Sequence, residues 1–252
     1  MNCLANVDRP ATSVPAMRQL PLLLFVSCAG GSVVVSEHRL TGAGPEHVFV
    51  RIPAGPGVPR AFWLGKYEVT QAQFAAFVQA TGYDGREAPS SKPTEPFLAD
   101  WRDAKPPPGQ EDHPACQLNW HHARAFCAWL SQRSGCTVRL PRDVEWQWAA
   151  RGAAGRVYPW GDAWQPTYCN WGDGGTVDGF TASAPVGAFA AGATPEGVFD
   201  LAGNIWEWSA DGHLLGGPWC MGAEGVRAAG VAHEDPRRAA DKFGLRLVVE
   251  LP

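Results

Sequence analysis

The sequence predicts one mixed α+β domain with little regular secondary structure. Three observations carry this reading. Three helical patterns, each closed by a glycine, lie before residue 152, and no strong helical pattern follows them. The chain also holds 29 Gly, 22 Pro and 12 Trp in 252 residues. Turns are therefore abundant, and large rings must fill a core that few regular elements can build.

The elements follow in chain order. Residues 17–28 read MRQLPLLLFVSC: one basic residue, a short apolar run and small residues before Cys28. That is the secretory pattern, and the run is too short to span a bilayer as a helix. A buried strand at 20–26 is the other reading of the same residues. Residues 1–28 are accordingly assigned as an N-terminal extension and signal, 29–45 as a tether and 46–252 as the folded domain. Strands are expected at 47–52 and 62–67, separated by the turn Pro53-Ala54-Gly55. The first helix begins at Thr70 with Gln73 three residues on, a capping-box spacing. Phe74, Phe77 and Val78 make its apolar face, and Gly82 stops it. The second runs over 119–134. Ala123, Phe126, Cys127 and Leu130 share one face, which makes Cys127 a buried thiol, and Gly135 ends it. The third spans about 141–151, with Val144, Trp148 and Ala149 expected to face inward and Gly152 closing it. Residues 84–115 form a long Pro-rich polar connection, of a kind that is often functional or mobile. His121 and His122 open the second helix and are expected at the surface.

Bulk properties exclude some functions. Hydrophobic residues make up 45% and charged residues 18%, as in globular domains. The net charge of −4 gives no electrostatic footprint for nucleic acid. The seven cysteines form no C-x-x-C pair and no zinc pattern.

Ordered segments carry a resemblance. They are IPAG (52–55), FWLGKYEVTQAQFAAFVQATGY (62–83), HPACQLNWHHARAFCAWLSQRSGCTVRLPRDVEWQWAARG (113–152), YPWGD (158–162), GVFDLAGNIWEW (197–208), GGPW (216–219) and FGLRLV (243–248). Together they resemble the formylglycine-generating-enzyme, or sulfatase-modifying factor, family. The resemblance implies a C-type-lectin-like core. It also exposes a shortfall, since only residues 56–61 stand where the family carries a longer stretch before the second strand.

Two residue sets fall on positions that resemble the family's two calcium sites. The first is Asn170, Trp171, Asp178 and Phe180; the second is Asp200, Gly203, Ile205 and Glu207. Side-chain oxygens from the polar members and carbonyls from the others are the hard donors that calcium takes. A structural cation there would pin loops that lack ladder hydrogen bonds. Asn204 is the alternative brace for the same loop.

The family's enzymes resemble one another in a cysteine pair, five residues apart, that binds copper as thiolates. Here GGPWCMGAEGV (216–226) puts Met221 and Val226 at those positions, with Cys220 one residue early and no cysteine after it. Copper is therefore not expected, and Cys220 is the one catalytic candidate. The bland alternative for Cys220 is a small, partly buried residue beside Trp219. The H-x-x-x-H-x-E iron motif of the related ergothioneine-pathway enzymes is absent.

Two functions follow from the resemblance. One is an exported, non-catalytic member that binds an unidentified protein, peptide or small ligand, in a groove built by Trp219, Arg227, Arg237 and Arg238. Lipidation at Cys28 would hold it at a membrane outside the cytoplasm. The other is an oxidoreductase acting on a cysteine, peptide or siderophore without the two-cysteine copper site.

Overall fold

The structure is a computed structural model and describes residues 36–92 and 96–251. The apolar run before Cys28, Cys28 itself and residues 29–35 of the tether lie outside the described residues.

The chain opens with strands β1 (Glu37–Leu40), β2 (His47–Ile52) and β3 (Phe62–Gly65). Helices α1 (Gln71–Thr81) and α2 (Trp120–Ser134) follow, then β4 (Thr137–Arg139) and α3 (Asp143–Arg151). The second half supplies β5 (Trp206–Trp208), β6 (His213–Leu215), β7 (Val231–His233), β8 (Phe243–Leu245) and β9 (Val248–Glu250). Two sheets result, one in the order β1-β2-β3-β9-β4 and one in the order β7-β6-β5-β8. Among the described residues only the β5–β8 pair is parallel. The mixed α+β architecture with three α-helices and short strands is the one the sequence predicts.

Local chemistry explains the helix ends. Thr70 Oγ1 accepts from Gln73 N, and Gln73 Oε1 accepts from Thr70 N, the reciprocal box that satisfies two orphan donors. Asn119 and His122 do the same for α2, with His122 Nδ1 accepting from Asn119 N. Gly82 and Gly135 close the two helices in the left-handed conformation, at φ 66 and φ 71.

Packing divides into two main clusters. Between α1, α2 and the larger sheet, Phe74 stacks on Phe126 at 5.3 Å between ring centroids, and Phe77 meets Phe126 edge-on. Such ring pairs contribute about 0.5–1.5 kcal/mol beyond their buried area. The second cluster holds Ile52, Leu64, Trp146 and Leu201. A buried ion pair ties the sheets together. Arg246, fully buried, donates through Nε and Nη2 to Glu207 of β5, through Nη1 to Gly65 O of β3 and through Nη2 to Phe199 O.

Four expectations need correction. Residues 37–40 fall in the tether by sequence but form β1, whose four residues pair with β2. The second strand ends at Gly65 rather than at residue 67, because the chain turns there toward the Thr70 cap. On α3, Glu145, Trp146, Ala149 and Ala150 are buried, while Val144 and Trp148 are only half-buried. The helix is phased by Glu145, which turns inward to accept from Arg139 at 2.7 Å and from Arg142 N at 2.8 Å. His122 is fully buried against Phe97, at 4.2 Å between ring centroids, and only His121 is exposed.

Candidate functional site

The site is a half-open cleft of about 280 Å³. Five separated stretches build it. The cap at Thr70 fixes Gln71 as the first residue of α1, beside the bridge between Thr70 and Pro114. The long connection supplies Asp100, Trp101 and His113, and Cys116 follows it directly. Ser183 comes from the loops after α3, and Trp219 and Asp241 from the second sheet's connections. Trp219 is held from behind, its N–H donating to Asn204 O at 2.8 Å.

The lining is polar and carries two carboxylates. Gln117 Nε2 donates to Asp100 Oδ2 at 2.6 Å, from a backbone held at φ 61. His113 Nδ1 shares a hydrogen bond with Ser183 Oγ at 3.1 Å. Gln71 Nε2 donates to Gln110 Oε1 at 3.3 Å, while Gln71 Oε1 is buried and has no hydrogen-bond partner. A buried acceptor left unpaired costs about 1–3 kcal/mol, so this carbonyl is an acceptor that a bound donor would satisfy.

One thiol lies in the cleft. Cys116 Sγ contacts Pro114 O at 3.4 Å. Burial, reinforced by the charges of Glu68 and Asp241, pushes this thiol above the ordinary cysteine range. It is held protonated, and the thiol is a poorer nucleophile and metal ligand than the thiolate. Cys220 is different. It is exposed rather than partly buried, in the turn after Trp219, and it does not line the cleft. Of the aligned copper positions, Met221 is exposed and Val226 is fully buried core. Cys116, Cys127, Cys169 and Cys220 are free, and Cys127 is buried with its thiol pushed up to about 12.

The groove residues expected from the sequence do not all line this cleft. Trp219 lines the cleft, but Arg227, Arg237 and Arg238 do not. Arg227 pairs with Glu224 at 2.6 Å, and Arg237 pairs with Asp235 at 3.1 Å. Arg238 bonds Glu234 and lies over the Phe243 ring.

The two calcium sets differ in how well they suit a cation. In the first, Asn170 Oδ1 is buried without a partner while its amide nitrogen donates to Ala182 O and Asn204 Oδ1. Asp178 accepts from Trp171 N and Phe180 N, which draws all four residues into one loop. A hard cation fits this donor set. In the second set, both oxygens of Glu207 are already engaged. Its oxygens accept from Arg246 and from Trp146 Nε1, which donates at 2.7 Å. As placed, that carboxylate balances Arg246 and already accepts from three N–H groups against about four lone-pair sites, which leaves it little capacity for a cation. Asp200 accepts from Gly187 N, and burial raises its carboxyl to about 6. Asn204 braces the loop, accepting from Ala184 N and donating to buried Glu68.

Sequence reasoning missed Gln71, Asp100, His113, Cys116, Ser183 and Asp241 as one site. The single signal for them was the length of the 84–115 connection, which supplies Asp100 and His113.

Comparison with known proteins places the chain. Residues 11–251 match the family model described as sulfatase-modifying factor enzyme 1-like domain. The inactive C-alpha-formylglycine-generating enzyme 2 of Bos taurus is 35% identical over 156 residues, covering 54% of this chain and 50% of that protein. The formylglycine-generating enzyme of Thermomonospora curvata is 33% identical over 190 residues, covering 60% of this chain and 59% of that protein. The chain thus spans about half the length of the curated relatives it matches. Among solved structures, PvdO from Pseudomonas aeruginosa superposes with a TM-score of 0.68 at 22% identity, over 86% of this chain and 98% of that one. At that identity the likeness shows the fold.

Proposed function

The chain belongs to the sulfatase-modifying factor family, and from that premise we propose that it is a ligand-binding member whose cleft does not carry out two-thiol copper oxidation. One observation supports this most directly. The cleft holds a single, protonated thiol at Cys116, and the other candidate, Cys220, stands outside it on an exposed turn. Two soft thiolates are what hold Cu(I) in such a site, and this arrangement does not bring two together.

The lining supports a reading of the ligand's class. Asp100 and Asp241 provide negative charge, Gln71 Oε1 an unpaired acceptor, and Trp101 and Trp219 flat apolar faces. Carboxylates beside indoles suit a cationic group, held by charge and by the rings. A basic peptide or an amine-bearing small molecule has that chemistry. The oxidoreductase reading keeps one point in its favour, which is that Cys116 does line the cleft.

The test uses the full chain with Cu(I), a reductant and a peptide carrying Cys-x-Pro-x-Arg. Mass spectrometry follows conversion of peptide thiol to aldehyde, and calorimetry follows binding of the same peptide. We expect binding without conversion, weakened at least tenfold by Asp241→Asn. Conversion that disappears in Cys116→Ser or Cys220→Ser would overturn the binding reading. Absence of any binding would remove the cleft from consideration.

A further inference from the structure

A second group of chemistry-bearing side chains lies away from the cleft, on the smaller sheet. His213 of β6 and His233 of β7 are directly opposed across an antiparallel pair. Their rings meet edge to face, with centroids 4.4 Å apart and an interplanar angle of 79°. The first residue of α3, Asp143, lies beside them, and His213 Nδ1 is 2.6 Å from Asp143 Oδ2.

The carboxylate fixes the tautomer. A carboxylate oxygen can only accept, so Nδ1 of His213 carries the proton and Nε2 presents a lone pair. This carboxylate–imidazole arrangement is the one that orients metal-binding histidines and raises their basicity. Asp143 is itself positioned, because its backbone N–H donates to Asp211 Oδ2 at 2.8 Å. Its second oxygen, Oδ1, is buried without a hydrogen-bond partner. Two imidazoles on one tetrahedral ion, with Zn–N ~2 Å, place their ring centroids roughly 5 Å apart. The observed separation is within a small side-chain rotation of that value. His233 is exposed, so an ion can enter from solvent.

The geometry points to a surface site for a divalent transition metal, zinc or copper, held by His213 and His233, with Asp143 as a positioning residue behind His213. Among the described residues no group of three or more His, Cys, Asp or Glu side chains is placed so that it could hold a metal ion. The site is therefore an open one, in which two imidazoles hold the ion and water completes its shell. Such a site serves a labile or exchangeable metal rather than a structural one, since structural zinc sites are closed by four protein ligands.

The test is calorimetric titration of the full chain with ZnCl2, in buffer that contains calcium. We expect one site, lost or weakened at least tenfold in His233→Ala and in His213→Ala. Asp143→Asn should weaken it about 10–100-fold while leaving both imidazoles in place. Far-UV circular dichroism checks that each variant folds. Electron paramagnetic resonance of the Cu(II) form supplies a second readout, with splitting from two imidazole nitrogens in the wild type and from one in His233→Ala. Zinc binding that survives both histidine variants but disappears in Cys220→Ser would overturn the proposal and assign the metal to the exposed thiol. Absence of zinc and copper binding by the wild-type chain would overturn it as well.

Discussion

His47 and His122 are buried imidazoles whose Nε2 atoms have no hydrogen-bond partner. Burial holds each of them down, to a pKa of about 4. The unfolded chain accepts these protons below about pH 6.5, while the folded chain resists them until about pH 4. Their contribution to stability is therefore complete above 6.5 and is lost as the pH falls through 4. One unit corresponds to about 1.4 kcal/mol, so each histidine withdraws roughly 3 kcal/mol by pH 4. Urea midpoints measured at pH 7 and pH 4.5 should differ strongly in the wild type. His122→Gln keeps an acceptor for Asn119 N and removes one titrating group, so its midpoint should fall less over the same interval. An equal fall would show that His122 is not the group responsible. The surface position expected for His122 failed for a related reason. Helical spacing places it beside His121, but its burial comes from Phe97, in a connection with no periodicity of its own.

Elements whose ends are fixed locally were the most legible. The Thr70–Gln73 box and the glycine stops at 82 and 135 need only neighbours in sequence, and the structure places them as expected. The inward face of α3 was not legible, because Glu145 is drawn in by Arg139 of β4 and so sets the phase of Trp146. The cleft was the least legible part. Gln71, Cys116, Ser183 and Asp241 share no spacing, and only the packed chain brings them to one cavity. Two glycines separate conformational cost from steric cost at this scale. Gly135 has φ 71, and a Cβ there would meet nothing within 4 Å. Gly135→Ala should therefore cost only the left-handed penalty of about 1–2 kcal/mol. Gly217 has φ 75, but its Cβ would come within 2.3 Å of Gly225 O, a backbone atom that cannot rotate away. Gly217→Ala should cost more than twice as much in urea unfolding and should disturb the turn that carries Trp219. Equal losses at the two sites would show that the 217–225 contact is loose.

The whole molecule is held unevenly. Its first half has two capped helices and an aromatic cluster, whereas most of the second half is turns and short strands. The Glu207–Arg246 pair secures the junction of the two sheets, and breaking such a buried pair typically costs about 3–5 kcal/mol. Among the described residues no comparable pair secures the loop from Asn170 to Phe180, in which Asp173 and Asp178 accept backbone N–H groups. The orphaned Asn170 Oδ1 lies at the root of that loop. We therefore expect calcium to stabilise the fold through the first set, Asn170, Trp171, Asp178 and Phe180, and not through Glu207. At a hundredfold excess over its dissociation constant, a bound ion adds about 2.7 kcal/mol. For a domain of this size that raises Tm by roughly 5–11 °C. Thermal melts in calcium and in EGTA should differ by that amount in the wild type. Asp178→Asn retains one oxygen for a backbone N–H but loses the charge, so its two melts should coincide. A wild-type Tm that ignores calcium would remove the cation from this loop and leave Asn204 and the aspartate bonds as its only brace. A calcium shift that survives Asp178→Asn would move the ion elsewhere. Asp200, whose carboxyl is not enclosed by Arg246 as Glu207 is, would then be the next residue to change.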